Sequence, residues 1–155
     1  IDLEKKTKMY QNTYPKYSFF ENPTDLGGGS AHYKYESEEE YYKDLSQSWF
    51  GLSSRRGSWD ALRNYEIIAS GSLLIYRDYL NKPISCSPRN VPCLSYSTKN
   101  ELYQIFDRLV PNNKPTDEYM FLLEAQREWL LNYGTTTAIA KNIINIIKQN
   151  PIYRE

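Results

Sequence analysis

Residues 48–76 read SWFGLSSRRGSWDALRNYEIIASGSLLIY, from Ser48 to Tyr76, and this stretch decides the fold. Trp49 to Ser53 is a short apolar run bounded by Ser and Arg, which reads as a buried strand. Ser54 to Gly57 is a basic turn. Ser58 has N-cap chemistry for a helix running to Ser70, and Gly71 stops that helix. Leu62, Tyr65 and Ala69 fall on one helical face and are expected in the core. Ser72 to Tyr76 is the most apolar strand of the chain. A strand, a helix and a second strand in succession imply a right-handed crossover and parallel pairing.

Working outward on the amino-terminal side, Asp2 to Tyr10 reads as a short helix ended by Tyr14-Pro15. Tyr17 to Glu21 is an aromatic run that reads as a strand. Asn22 to Ser30 is a loop centred on Gly27, Gly28 and Gly29. Ser37 is an N-cap with capping-box spacing to Glu40, and its helix runs to about Gln47. On the carboxyl side, Asp78 to Pro92 is an irregular loop with three prolines, and Cys93 to Tyr96 is a fourth strand. Helices are expected over Lys99 to Leu109 and Thr116 to Asn132, with Pro111 to Pro115 as linker. Gly134 closes the second of these, and Ala138 to Gln149 forms a last helix carrying Ile139, Ile143, Ile146 and Ile147. The expected fold is a single Rossmann-like three-layer α/β/α domain over residues 1–155, with a mostly parallel sheet of four strands and carboxyl-terminal helices.

Bulk composition narrows the function. A chain of 155 residues is the size of one domain and buries a core without staples. Nineteen basic residues balance nineteen acidic ones, which argues against a grip on nucleic acid and against a polybasic membrane patch. No apolar run approaches the roughly 20 residues that span a bilayer. Cys86 and Cys93 make neither a disulfide framework nor a zinc pattern, and free thiols fit a cytoplasmic setting. The chain opens on Ile1, so an upstream segment is expected.

Ligands of a parallel sheet sit beyond the carboxyl ends of its strands. Two loops fall there, Asn22 to Ser30 and Ser53 to Ser58. In the second, Arg55 and Arg56 stand before a helix start, with Gly57 allowing close backbone approach. Unpaired N–H groups and two guanidiniums make an anion site, phosphate being the commonest suitable anion. A solvated basic turn is the competing reading. Trp59, Arg63, Glu66 and Ser70 share a helical face. Glu66 can accept from ribose hydroxyls and Arg63 can meet a diphosphate, or the two form an i,i+3 ion pair on a solvated face. Gly27, Gly28 and Gly29 could contact phosphate or acceptor, or serve as a connector, since no Lys or Ser/Thr completes a phosphate loop. His32 is the sole histidine and stands beside them; without a spaced partner it is first read as incidental rather than as a general base.

The run from Ser48 to Gly71, with Asp78 after the next strand, resembles the donor-binding segment of GT-B glycosyltransferases. It is most similar to the exostosin-like group, whose pattern is S-x-F-x-L, then R-G, then R-x-x-E, then G, an apolar strand and D. It also resembles the family-one type with E-A-x-A-x-G. The helices from Trp129 to Ile147 resemble the ending of such proteins, and the likeness runs from about Tyr35 onward. The resemblance implies the carboxyl-terminal domain of a two-domain transferase that binds a nucleoside-diphosphate sugar. It places Glu66 at the ribose, Arg56 and Gly57 at the diphosphate, and Gly71 between helix and strand. It implies no metal at the reacting centre and no cofactor, the nucleotide sugar being a substrate, with Arg55, Arg56 and Arg63 stabilising the leaving diphosphate. It further implies a glycan or protein acceptor, a role in polysaccharide biosynthesis, and an amino-terminal GT-B domain or partner chain. Ser58 stands where the retaining family-one pattern has a second glutamate, and no residue stands out as the catalytic base. The alternative is a non-catalytic Rossmann-like module for a nucleotide or phospholigand, or for docking to another chain.

Overall fold

The computed structural model describes residues 2–11, 35–55 and 57–150. Among the described residues, four strands form one sheet: β1 (Lys8–Gln11), β2 (Ser48–Ser54), β3 (Leu73–Arg77) and β4 (Leu94–Tyr96). Their spatial order is β1-β2-β3-β4 and every pairing is parallel. Five α-helices accompany them among the described residues: α1 (Glu38–Ser46), α2 (Leu62–Ala69), α3 (Lys99–Leu109), α4 (Asp117–Trp129) and α5 (Thr136–Gln149). The expected α/β class with a parallel four-stranded sheet is therefore the observed one.

Side chains alternate across a strand, so the sheet buries two faces. Phe50, Leu52, Leu73, Ile75 and Tyr96 pack with Leu102, Phe106 and Leu109 of α3. Leu74 packs on the other face with Tyr41 and Leu45 of α1 and Ile67 and Ile68 of α2. These are the three layers. Helix α4 serves both faces. Its Tyr119 and Leu123 join the α3 cluster, and its Trp129 joins the α1/α2 cluster.

The passage of α4 beside the sheet is held by two polar side chains. Tyr119 Oη donates to Trp49 O at 2.7 Å. Gln126, fully buried, accepts from Leu74 N at 2.8 Å and donates through Nε2 to Leu74 O at 2.9 Å and Pro92 O at 3.0 Å. The paired register of β3 and β4 starts only at Ile75↔Leu94. The Gln126 amide thus completes the backbone bonding of Leu74 where β4 has not yet begun, which buried N–H and C=O groups require.

Three expectations are corrected. Asp2 to Tyr10 does not form a helix: a 3₁₀ turn at Leu3–Lys5 is followed by β1. The cause is tertiary. Tyr10 stacks on Phe106 at 5.5 Å, and Lys6 Nζ donates to Ser48 O and Gly71 O, each at 2.7 Å. Second, α2 begins at Leu62, not at Ser58. The N-cap is Ala61, and Ser58 Oγ instead accepts from Asp60 N at 3.0 Å. Third, the buried face of α2 is Asn64, Ile67 and Ile68, whereas Leu62 and Ala69 are exposed. Tyr17 to Glu21, expected as a strand, lies outside the described residues.

Other local readings hold. Ser37 caps α1 through Glu40 N, while the Glu40 carboxylate reaches back to Glu36 N rather than to the cap itself. Gly71 follows the end of α2 at φ 74, a region that favours glycine. Gly51 faces α2, and a Cβ placed there would fall 2.4 Å from Ile67 Cγ2.

Two outcomes follow from this packing. Gly51→Ala should lower unfolding free energy by about 1–3 kcal/mol, the usual cost of an overpacked core. Gln126→Leu leaves the Leu74 and Pro92 backbone groups unpaired and should cost about 3 kcal/mol or more. Urea unfolding of both variants checks them; a near-native midpoint for Gln126→Leu would contradict the bonding role given to α4.

Candidate functional site

The connection from β2 to α2 leaves the carboxyl edge of the sheet. Its geometry is set by buried polar contacts. Ser53 Oγ donates to Asn64 Oδ1 at 2.6 Å, and Asn64 Nδ2 donates to Trp59 O at 3.1 Å. Tyr76 Oη donates to the same carbonyl at 3.1 Å. Asn64 and Tyr76 are fully buried. Strand β2, helix α2 and strand β3 therefore all anchor the backbone at Trp59.

Trp59 is buried, with its ring 5.7 Å from that of Tyr76. Arg55 is exposed and its guanidinium lies 5.5 Å from the centre of the Trp59 ring. This cation–π contact holds the exposed arginine over the connection. Gly57 and Ser58 are exposed, and the space where a Gly57 Cβ would stand is open. Because α2 starts only at Leu62, its N-terminal N–H groups lie beyond the stretch from Arg55 to Ser58. Electrostatic attraction for an anion at that stretch thus comes from the arginine side chain rather than from the helix dipole.

Glu66 lies elsewhere on α2. Its Oε2 accepts from Tyr41 Oη at 2.9 Å and its Oε1 from Tyr42 Oη at 3.2 Å, both tyrosines belonging to α1. The carboxylate is thereby fixed at the seam of α1 and α2. Arg63 is half-buried on the same helix. Arg56, Gly27, Gly28, Gly29 and His32 lie outside the described residues. The structure thus brings Arg55, Gly57, Ser58 and Trp59 together in one connection and holds Glu66 apart from them at the helix seam.

A groove of about 550 Å³ opens beside the same connection. Asp60, Tyr65, Arg89, Asn90, Trp129 and Tyr133 are among its walls. Tyr65 Oη donates to Asp60 Oδ1 at 2.8 Å, the Tyr65 ring lies 5.6 Å from that of Trp129, and Trp129 Nε1 donates to Arg89 O at 2.9 Å. The Tyr65 phenol is pushed above the ordinary tyrosine range, first by burial and then by Asp60. Aromatic walls with a few fixed polar groups are the usual lining of small-molecule sites. Asn64, Asp60 and Tyr76 escaped the sequence reading. The signal for Asn64 was present: it stands three and four residues before Ile67 and Ile68, on their face.

Cys93 and Tyr79 are pushed up to about 12, each chiefly by burial, and Tyr76 likewise reaches about 12. Cys86 and Cys93 are free thiols. Among the described residues no group of three or more His, Cys, Asp or Glu gathers as metal ligands, and no helix is long and apolar enough to cross a membrane. No protein-family model matches the chain, and no match was found among curated proteins or solved structures.

The buried acids set an alkaline limit. Each keeps its proton in the folded state at a pH where the unfolded chain, with ordinary values of 9.0 for Cys93 and 10.0 for Tyr76 and Tyr79, has released it. The unfolded state then binds fewer protons, so their stabilising contribution is full below about pH 9 and is lost between about pH 9 and 12. Denaturant unfolding at stepped pH should show this fall, and Tyr76→Phe should make it shallower.

Proposed function

We propose that this chain is the nucleotide-sugar-binding domain of a GT-B type glycosyltransferase, which transfers a sugar from a nucleoside-diphosphate sugar to a glycan or protein acceptor. The observation that carries the reading is Arg55, exposed at the carboxyl end of β2 and stacked over the buried Trp59. A parallel sheet offers ligands its carboxyl edge, and a guanidinium presented there is suited to a diphosphate. The open space at Gly57 and the hydroxyl of Ser58 give the phosphates room and a further donor. The aromatic groove beside Asp60 and Tyr65 supplies surface for the base or the sugar. A second domain would close over this edge and bring the acceptor and the general base. The setting for such a reaction is the cytoplasm.

A second reading has one observation in its favour. Tyr41 and Tyr42 both donate to Glu66, and that is what a structural carboxylate at a helix seam looks like. On this reading the chain holds a nucleotide or phosphorylated ligand without turnover. In the donor reading, ribose hydroxyls replace one or both tyrosine donors at Glu66.

A calorimetric panel of UDP, GDP, dTDP and CMP, with their sugars, separates the outcomes. Saturable binding of one nucleotide is expected, and Arg55→Ala should weaken it by about 10- to 100-fold, the value of one hydrogen bond to a charged group. Glu66→Gln should weaken nucleotide binding while lowering the thermal midpoint little. Binding that is indifferent to Arg55→Ala would sink the proposal. Loss of stability without loss of binding in Glu66→Gln would favour the second reading.

A further inference from the structure

On the opposite face of the sheet from Trp59, three residues stand level at the carboxyl edge. Ser54 pairs in register with Arg77, and Arg77 with Tyr96. By strand alternation, Ser54 follows Leu52, and Arg77 follows Leu73 and Ile75, on the face covered by α3. Tyr96 belongs to that same apolar cluster and is 2% exposed.

Among the described residues, three polar atoms here lack a hydrogen-bond partner. Arg77 Nε and Nη1 and Tyr96 Oη are buried, and none of them makes a hydrogen bond. Asp78 Oδ2 lies 3.5 Å from Arg77 Nε, an ion-pair distance without hydrogen-bond geometry. The Asp78 carboxylate is itself 41% exposed, so its attraction is weakened by solvent. Asp78 holds its place by other means. Its backbone adopts φ 55, and its N–H donates to Tyr96 O at 2.8 Å. The β3 to β4 junction is thus tied by the backbone, while the guanidinium and phenol beside it are left with free donors. The positive charge of Arg77 acts on the Tyr96 hydroxyl and opposes the upward push of burial.

Leaving buried donors unpaired destabilises a fold, and proteins keep such groups where a ligand uses them. Apolar packing through Leu, Phe or Met would fill the same positions at lower cost. All the free groups are donors or can donate: two guanidinium nitrogens and a hydroxyl. The complementary ligand is an anion with several oxygens. Its place, at the carboxyl ends of β3 and β4, is where parallel sheets take ligands.

We infer that Arg77 and Tyr96 form an oxyanion subsite for a phosphoryl group at the carboxyl edge of β3 and β4, on the α3 face. Arg77 neutralises the charge and Tyr96 donates one hydrogen bond to a non-bridging oxygen. Ser54 is placed to add a second. Access needs a rotation of the Arg77 side chain, which is 20% exposed. A free phosphate and the diphosphate of a nucleotide share this chemistry, and the subsite does not depend on the donor reading of Arg55.

The test uses the full chain with inorganic pyrophosphate, inorganic phosphate and UDP, read by calorimetry and by thermal midpoint. Pyrophosphate should bind saturably and raise the midpoint. Arg77→Gln and Tyr96→Phe should each weaken it at least about tenfold, a factor equal to one modest hydrogen bond to a charged group. Without ligand, Tyr96→Phe should melt at or above the wild-type temperature, since it removes a hydroxyl that bonds to nothing. UDP binding more tightly than pyrophosphate and sharing both losses marks a nucleotide diphosphate; phosphate binding as tightly as UDP marks a free-ion site. Pyrophosphate binding unchanged in both variants, or no binding by the wild type, overturns the inference. So does a Tyr96→Phe protein that melts well below wild type, because the hydroxyl would then have a structural partner. Loss in Arg55→Ala alone overturns this subsite and leaves the donor reading standing; loss in the Arg77 and Tyr96 variants alone does the reverse.

Discussion

Helix α2 lies against β2 at a distance that only glycine permits. The missing side chain at Gly51 is what allows Ile67 to sit directly on the strand. Everything at the carboxyl edge on that side inherits this spacing. Asn64, one turn before Ile67, comes within reach of Ser53 and of the Trp59 carbonyl. Trp59 is thereby pinned over Tyr76, and Arg55 over Trp59. A helix standing off by the width of a methyl group would strain both hydrogen bonds of Asn64 at once. The core contact and the exposed arginine are successive links of one chain of packing.

The two faces of the carboxyl edge use their polar residues differently. On the α2 face, the buried groups near the loop are satisfied internally, and the arginine is displayed from a rigid aromatic base. On the α3 face, Arg77 Nε and Nη1 and Tyr96 Oη are buried with donors to spare. The first arrangement presents charge to solvent at little cost in stability. The second leaves buried donors whose unmade bonds cost stability. Their common edge gives the sheet two chemically distinct flanks within a few residues of sequence.

The core of the fold was legible because Trp49 to Ser53 and Ser72 to Tyr76 are short apolar runs with a helix-length insert between them. Their local pattern and their tertiary fate agree. Where the reading failed, local and tertiary preferences diverged. Lys5, Lys6 and Lys8 look like the polar face of a helix, yet Lys6 is spent on carbonyls of the β2 and β3 starts and Tyr10 on Phe106. Ser58 has a capping hydroxyl, but it closes a turn on Asp60 and the helix waits for Leu62. The face of α2 was misjudged because Leu62 and Ala69 outweighed an asparagine in the count of apolar positions; a buried Asn64 is visible only through its partners. Of the candidate site, Arg55, Gly57 and Ser58 were legible as one turn, whereas Trp59, read on a helical face with Arg63, Glu66 and Ser70, stands before α2. The Arg77 and Tyr96 pair was not legible, because it rests on register between strands that sequence spacing does not reveal.

The order of the strands has a consequence for how the chain is assembled. Each strand lies beside its sequence neighbour, so the sheet can lengthen in the direction in which the polypeptide leaves the ribosome. Among the described residues, no strand must be inserted between two already paired. Helix α4, arriving after β4, then supplies Gln126 to the Leu74 backbone and Tyr119 to Trp49. It acts as the closing clasp of the sheet. A chain without that helix lacks the bonds that tie Leu74 and Trp49 to it.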